Sequence, residues 1–139
     1  MAKVNLVSKQ VRMDIDDIIK FQFITHCYIN RITLSELDLE CLVYLAHYGE
    51  IDLVDFCNTM AERRLEKRLE QSKKKSSKKI IEASPQTIRN ILSKIEKQNL
   101  LIREGRGRKK IKLNPDLKIQ SQGNILLNYK LVYIDTKES

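Results

Sequence analysis

Apolar positions along this chain fall into blocks divided by polar stops, and most blocks repeat with helical spacing. Ile15, Ile18 and Ile19, extended by Gln22, Phe23 and Cys27, share one helical face. Asp14 stands where a cap belongs, and Asp16 and Asp17 sit in the first turn, where acids favour the helix dipole. Phe21-Gln22-Phe23-Ile24 also alternates as a strand does, which leaves the far end of this element open between the two forms. Ser35-Glu36-Leu37-Asp38 has capping-box spacing, with Asp in place of the longer Glu or Gln. Leu39, Leu42, Val43 and Ala46 follow at i, i+3, i+4 and i+7, and Gly49 supplies a left-handed stop. Asp52 then caps a third helix that turns Leu53, Phe56, Cys57 and Met60 inward.

That helix runs on into a charged extension over 61–70, with ridges Glu62–Glu66–Glu70, Arg63–Lys67 and Arg64–Arg68 at i, i+4 spacing. Lys73-Lys74-Lys75-Ser76-Ser77-Lys78-Lys79 is low in complexity and self-repelling, and reads either as a flexible phosphate tether or as a solvated linker. Residues 84–113 carry the sharpest pattern. Ser84-Pro85 opens a helix, with Ser as the cap and Pro at the first position, where its missing N–H is not needed. Ile88, Ile91, Leu92 and Ile95 form one apolar face. Asn99 tolerates positive φ and ends the helix. Leu100-Leu101-Ile102-Arg103 reads as a strand, 104–108 as a turn, 109–113 as the return strand, and Asn114-Pro115 as its end. At the chain's ends, residues 1–13 read as a strand or arm with Val4, Leu6 and Val11 as apolar points. The run 125–134 reads as a strand that completes the sheet, or pairs with the arm or with another subunit.

Charge changes the picture more than composition does. The 139 residues carry +8 formal charge. Residues 1–60 hold five basic and nine acidic residues, residues 61–118 hold nineteen and seven, and residues 119–139 hold two of each. A basic block beside an acidic one marks a localised anion-binding surface, and the abundant intracellular polyanion is nucleic acid. The apolar content of 42% suits a compact core, and no apolar run reaches the roughly 18–20 residues of a membrane helix. Met1 to Asn5 lack the apolar stretch of a signal peptide. Three cysteines without a C-x-x-C pair argue against a disulfide framework or zinc ribbon and for a reducing compartment, so the expected location is cytoplasmic.

Catalytic and metal chemistry find no footing. His26-Cys27 and Cys41 with His47 lack the ligand spacing of a tetrahedral site, and Asp14, Asp16 and Asp17 lack the glycine and terminal Glu of a calcium loop. There is no Walker-type phosphate loop and no Gly-x-Ser-x-Gly. The expectation is a protein without enzymatic activity, metal or cofactor.

The stretch Ser84-Pro85-Gln86-Thr87-Ile88-Arg89-Asn90-Ile91-Leu92-Ser93-Lys94-Ile95-Glu96-Lys97-Gln98-Asn99-Leu100-Leu101-Ile102-Arg103 resembles the recognition helix and first wing strand of winged helix-turn-helix proteins. Multiple-antibiotic-resistance-type regulators and some plasmid replication initiators share this layout, and Leu113-Asn114-Pro115-Asp116-Leu117 is similar to the initiators in particular. Asn99 stands where those families most often have Gly. The resemblance covers 84–117 well and 35–60 loosely. It implies an α+β protein with a winged helix-turn-helix core over 35–117, a basic insertion at about 61–83, an N-terminal arm and helix over 1–34, and an added C-terminal strand within 118–139. A turn between the two helices of such a motif is usually a few residues, so the insertion departs from the pattern.

The function so implied is non-catalytic binding of double-stranded DNA, as a transcription regulator or in replication initiation, by a homo-oligomer expected to be a dimer. Gln86, Thr87, Arg89, Asn90, Ser93, Lys94 and Lys97 form a face without acids, rich in groups that bond phosphates and base edges. Arg106, Arg108, Lys109 and Lys110 place a wing tip on phosphates or in the minor groove, and basic residues of 63–79 add affinity. The rival is a phage assembly protein, such as a ring component of a head–tail connector within the virion. There the acidic and basic halves would pair between copies of a homo-oligomer. An RNA-binding module is disfavoured, because no exposed aromatic platform is evident.

Overall fold

Local capping decides where the helices begin. The computed structural model describes residues 13–73, 83–130 and 132–135. Asp14 accepts a hydrogen bond from the Asp17 N–H at 2.8 Å and starts α1 (Ile15–Ile29), which remains helical through Phe21–Ile24. Helix wins there because Ile19, Gln22, Phe23 and Cys27 recur on one face and are all buried, a set that strand geometry would split between two faces. Ser35 and Asp38 close a reciprocal capping box on α2 (Glu36–Tyr48), and Gly49 ends it at φ +76°, where a side chain would be strained. Asp52 accepts from the N–H groups of Val54 and Asp55 and so caps α3 (Leu53–Lys73). The charged extension is therefore continuous helix as far as Lys73. The rest of the lysine run, 74–82, and the arm, 1–12, lie outside the described residues.

Ser84 caps α4 (Pro85–Lys97), accepting from the Thr87 N–H at 3.1 Å. Asn99 adopts φ +63° and turns the chain into β2 (Leu101–Glu104). β3 (Lys110–Leu113) returns antiparallel with Leu101 opposite Leu113 and Glu104 opposite Lys110, so the turn occupies 105–109, one residue later than the pattern predicts. One strand was not anticipated. Three residues after α2, β1 (Glu50–Asp52), pair antiparallel with β3, Ile51 opposite Ile111, giving a three-stranded sheet in the order β1-β3-β2. Among the described residues, the fold is mixed α+β, four helices and this small sheet.

The core forms where α2, α3 and α4 meet the inner face of the sheet. Leu42, Leu45, Phe56, Met60, Ile88, Leu92, Ile95, Leu100, Leu101 and Ile111 are almost fully shielded from water, and Ile19 and Phe23 of α1 close the far side. Each such side chain contributes roughly 1.5–3 kcal/mol through removal from water.

The expected C-terminal strand is a correction. The described residues between 121 and 135 contain no strand, and Leu126 and Tyr133 are 82% and 88% exposed. This segment is held by a side chain rather than by a sheet edge. The buried Gln22 amide donates to the Gln120 carbonyl and accepts from the Gln120 N–H, both at 2.8 Å, as a neighbouring strand would. Farther along, Tyr129 meets Phe21 edge to face at 5.5 Å.

Asp38 is the one buried carboxylate in the described core, 1% exposed. Its Oδ2 accepts from the Ser35 N–H at 3.0 Å and from the Lys94 ammonium of α4 at 2.7 Å. Asp38→Ala removes half of the capping box and the tie to α4 together, and is expected to lower stability by about 2 kcal/mol in urea denaturation. Asp38→Asn, whose amide oxygen still accepts from Ser35, is expected to lose about half as much. An Ala variant within a few tenths of a kcal/mol of wild type would remove this carboxylate from the account of the fold.

Candidate nucleic-acid interface

Burying Ile88, Leu92 and Ile95 forces the opposite side of α4 into water. The outermost exposed line then runs through Gln86, Asn90 and Lys97, spaced four and seven residues apart, with half-buried Ser93 at its edge. Gln86 donates to the Asn90 side-chain oxygen at 2.9 Å, so the two amides lie side by side one turn apart. Thr87 stays at the helix start, its hydroxyl 3.0 Å from that of Ser84. Arg89 is exposed on the flank facing α3, with its guanidinium beside the Cys57 thiol.

Two of the predicted residues already have partners within the protein. Lys94 is held by Asp38, and half-buried Ser93 lies 3.4 Å from an Arg103 Nη2. Arg103 was not singled out from the sequence. It reaches back from β2 and places its Nε 3.0 Å from the Glu96 carboxylate. Glu96 was missed as well, although it is the acid closest to the otherwise acid-free face. The available signal is the reversal at Asn99, which folds the strand holding Arg103 back beside the helix end holding Glu96.

The hairpin tip supplies the remaining charge. Gly105 and Gly107 take φ +82° and +71°, and the Arg108 N–H closes the turn on the Gly105 carbonyl at 3.0 Å. Arg106, Arg108, Lys109 and Lys110 are all exposed. Arg108 approaches Glu96 at 3.8 Å and Lys110 approaches Glu50 at 3.6 Å, contacts too long and too wet to hold either side chain firmly. No side-chain ion pair or hydrogen bond among the described residues engages Lys97, Arg106 or Lys109.

The basic residues of α3 behave differently. Arg63 stacks over the Tyr44 ring at 4.3 Å and donates to the Tyr48 hydroxyl. Arg64 and Lys67 both hold Glu40, at 2.9 and 2.8 Å. Burial works against the Lys67 ammonium, and Glu40 together with Tyr44 outweighs it, keeping the lysine pKa above its ordinary value. These three cations are internally compensated, whereas Lys97 at the end of α4 and Arg106 and Lys109 at the hairpin tip are not, among the described residues.

Two clefts open elsewhere. One of about 430 Å³ lies between α1 and residues 117–129, and one of about 380 Å³ lies along α3 beside Tyr44 and Glu66. Among the described residues, no His, Cys, Asp and Glu side chains gather as a metal-holding group, and no helix is long and apolar enough to cross a membrane. No protein-family model, curated protein or solved structure matches this chain.

Cys27, Cys41 and Cys57 are free and buried. Burial raises all three thiol pKa values; Glu40 and Asp38 add to the rise at Cys41, while Arg89 opposes it at Cys57. A raised thiol pKa keeps the reactive thiolate scarce. The folded protein is therefore expected to leave all three thiols unreacted with a disulfide reagent at pH 8, and to titrate three equivalents once unfolded in guanidinium. A fast-reacting thiol in the folded state would contradict the packing of its helix.

Proposed function

We propose that this chain is a non-catalytic double-stranded DNA-binding protein with a winged helix-turn-helix layout, of the transcription-regulator or replication-initiation type. α3 and α4 serve as the helix pair, α4 enters the major groove, and the 101–113 hairpin is the wing. The observation that carries this reading is the continuity of two features. The acid-free outer line of α4, with paired amides at Gln86 and Asn90, ends at Lys97, and the adjoining hairpin tip carries Arg106 and Lys109 without side-chain partners among the described residues. Asn and Gln amides match the donor and acceptor edge of adenine, and Arg and Lys neutralise phosphates. β1 supports the reading further, because pairing with β3 fixes the direction of the hairpin against the helices. Lys94 and Ser93 orient α4 rather than meet DNA, and α3 contributes less to affinity than its basic composition implies.

A second reading, a subunit of a phage head–tail ring, draws on the exposed apolar side chains of α1 and the C-terminal segment. It predicts a ring-sized mass without DNA.

The test is fluorescence anisotropy on a duplex selected from a random pool, across a salt series, with light scattering alongside. Binding is expected to weaken with log salt at a slope of roughly −4 to −5, for about five phosphates neutralised. Changing Lys97, Arg106 and Lys109 to Ala is expected to weaken every duplex alike and make the slope shallower by about one per residue. Changing Gln86 and Asn90 to Ala is expected to cost about 1–3 kcal/mol on the selected duplex and little on a random one. Equal loss on both duplexes would remove α4 from the groove; no binding at low salt would overturn the function.

A further inference from the structure

α1 is apolar on two sides. Its inner side holds Ile19, Phe23 and Cys27 in the core, as a surface helix should. Its outer side should be polar, yet Phe21, Ile24 and Tyr28, spaced three and four residues apart, face water at 43%, 54% and 85% exposure. The patch widens at its edges, where Tyr129 lies against Phe21 and Ile29 is 68% exposed. These five side chains expose on the order of 500 Å² of apolar surface. That is about the apolar share of the roughly 800 Å² each partner buries in a standard interface.

The polar residues that bracket the stripe indicate what covers it. Asp17 lies one turn before Phe21 on the same line, and Arg31 follows Tyr28 just beyond the helix end. Both are exposed, and neither side chain has an ion-pair partner among the described residues. Residues 17 and 31 are each seven positions from Ile24. The stripe therefore reads as an aromatic on either side of a central isoleucine, with an acid at one end and a base at the other. Such a stripe is complementary to itself when reversed. Two copies laid antiparallel about a two-fold axis at Ile24 bring each Phe21 beside the second copy's Tyr28. Each Asp17 then comes opposite the second copy's Arg31, and the helix dipoles oppose.

We infer that the outer face of α1 is a self-association surface, on which two copies of this chain pack α1 against α1, antiparallel, with Ile24 on the two-fold axis. The contact is isologous and closes at two, which separates it from a ring. It does not depend on DNA binding and is tested without DNA.

The experiment combines sedimentation equilibrium from 1 to 100 µM, as an order-of-magnitude range suited to micromolar association, with cross-linking. The wild-type chain is expected to form a dimer. Asp17→Arg and Arg31→Asp, each alone, are expected to weaken it at least tenfold, and the double variant to restore most of the loss. Arg31 sits at φ +56°, which Asp tolerates. Ile24→Cys is expected to give a covalent dimer on mild oxidation, since the native thiols are buried, whereas Lys109→Cys at the exposed hairpin tip is not. Circular dichroism of each variant confirms that it folds. A monomer throughout, a larger assembly, failure of the charge swap to restore association, or an Ile24→Cys thiol shielded within a monomer would each overturn the inference. The last outcome would mean that another part of the same chain covers the face.

Discussion

The Asp38 carboxylate is buried at the start of α2 and must be partnered, because an isolated charge out of water costs far more than a small domain can offset. One partner is local, the Ser35 N–H that completes the capping box; the other, the Lys94 ammonium, is 56 residues away on α4. The pair therefore links where α2 begins to how α4 is rotated about its own axis. Turning α4 by one residue, about 100°, would leave Asp38 without its cation and push Ile88 or Leu92 toward water. The outer line of Gln86, Asn90 and Lys97 is fixed from the inside, by an ion pair and an apolar face that agree on one orientation.

A similar constraint limits what the positive charge is free to do. Composition concentrates cations in 61–118, but charges close enough to pair are not a free field. Arg63, Arg64 and Lys67 are drawn onto Tyr44, Tyr48 and Glu40, where they tie the exposed half of α3 to α2. Lys112 meets Glu104 across the hairpin at 3.1 Å. The hairpin tip escapes this because its glycine-shaped turn projects past the strands, beyond the reach of all but long contacts to Glu96 and Glu50. Turn chemistry, as much as residue type, leaves cations available for a polyanion.

What the sequence made legible follows the range of the forces involved. The caps at Asp14, Ser35, Asp52 and Ser84 and the left-handed stops at Gly49 and Asn99 are interactions over two to four residues, and the structure places each of them as the pattern predicts. β1 was not legible, because three residues have no periodicity to read and their stability comes from pairing Ile51 with Ile111, 60 positions on. For the C-terminal run the pattern misled: an apolar stretch says that something should cover it, not that a strand will. At the candidate site the apolar and polar faces of α4 were legible, since helical spacing alone sets them. The commitments of Ser93 and Lys94 were not, because their partners Arg103 and Asp38 lie on other elements.

Asp38 and Gln22 are the polar side chains buried in the described core, and each positions one exposed surface. Apolar burial is non-directional and tolerates sliding; hydrogen bonds at 2.7–2.8 Å do not. Asp38 sets the rotation of α4 and with it the amide and lysine line. Gln22 binds residue 120 as a strand would, which brings the following chain along α1 and lets Tyr129 reach Phe21. Without that latch the cleft beside α1 would have no second wall, and Phe21 would lose Tyr129 from its edge. The chain thus fixes a cationic, amide-lined surface and an apolar, self-complementary one by the same means. In each case a buried polar group satisfied at long range makes an otherwise slippery packing arrangement unique.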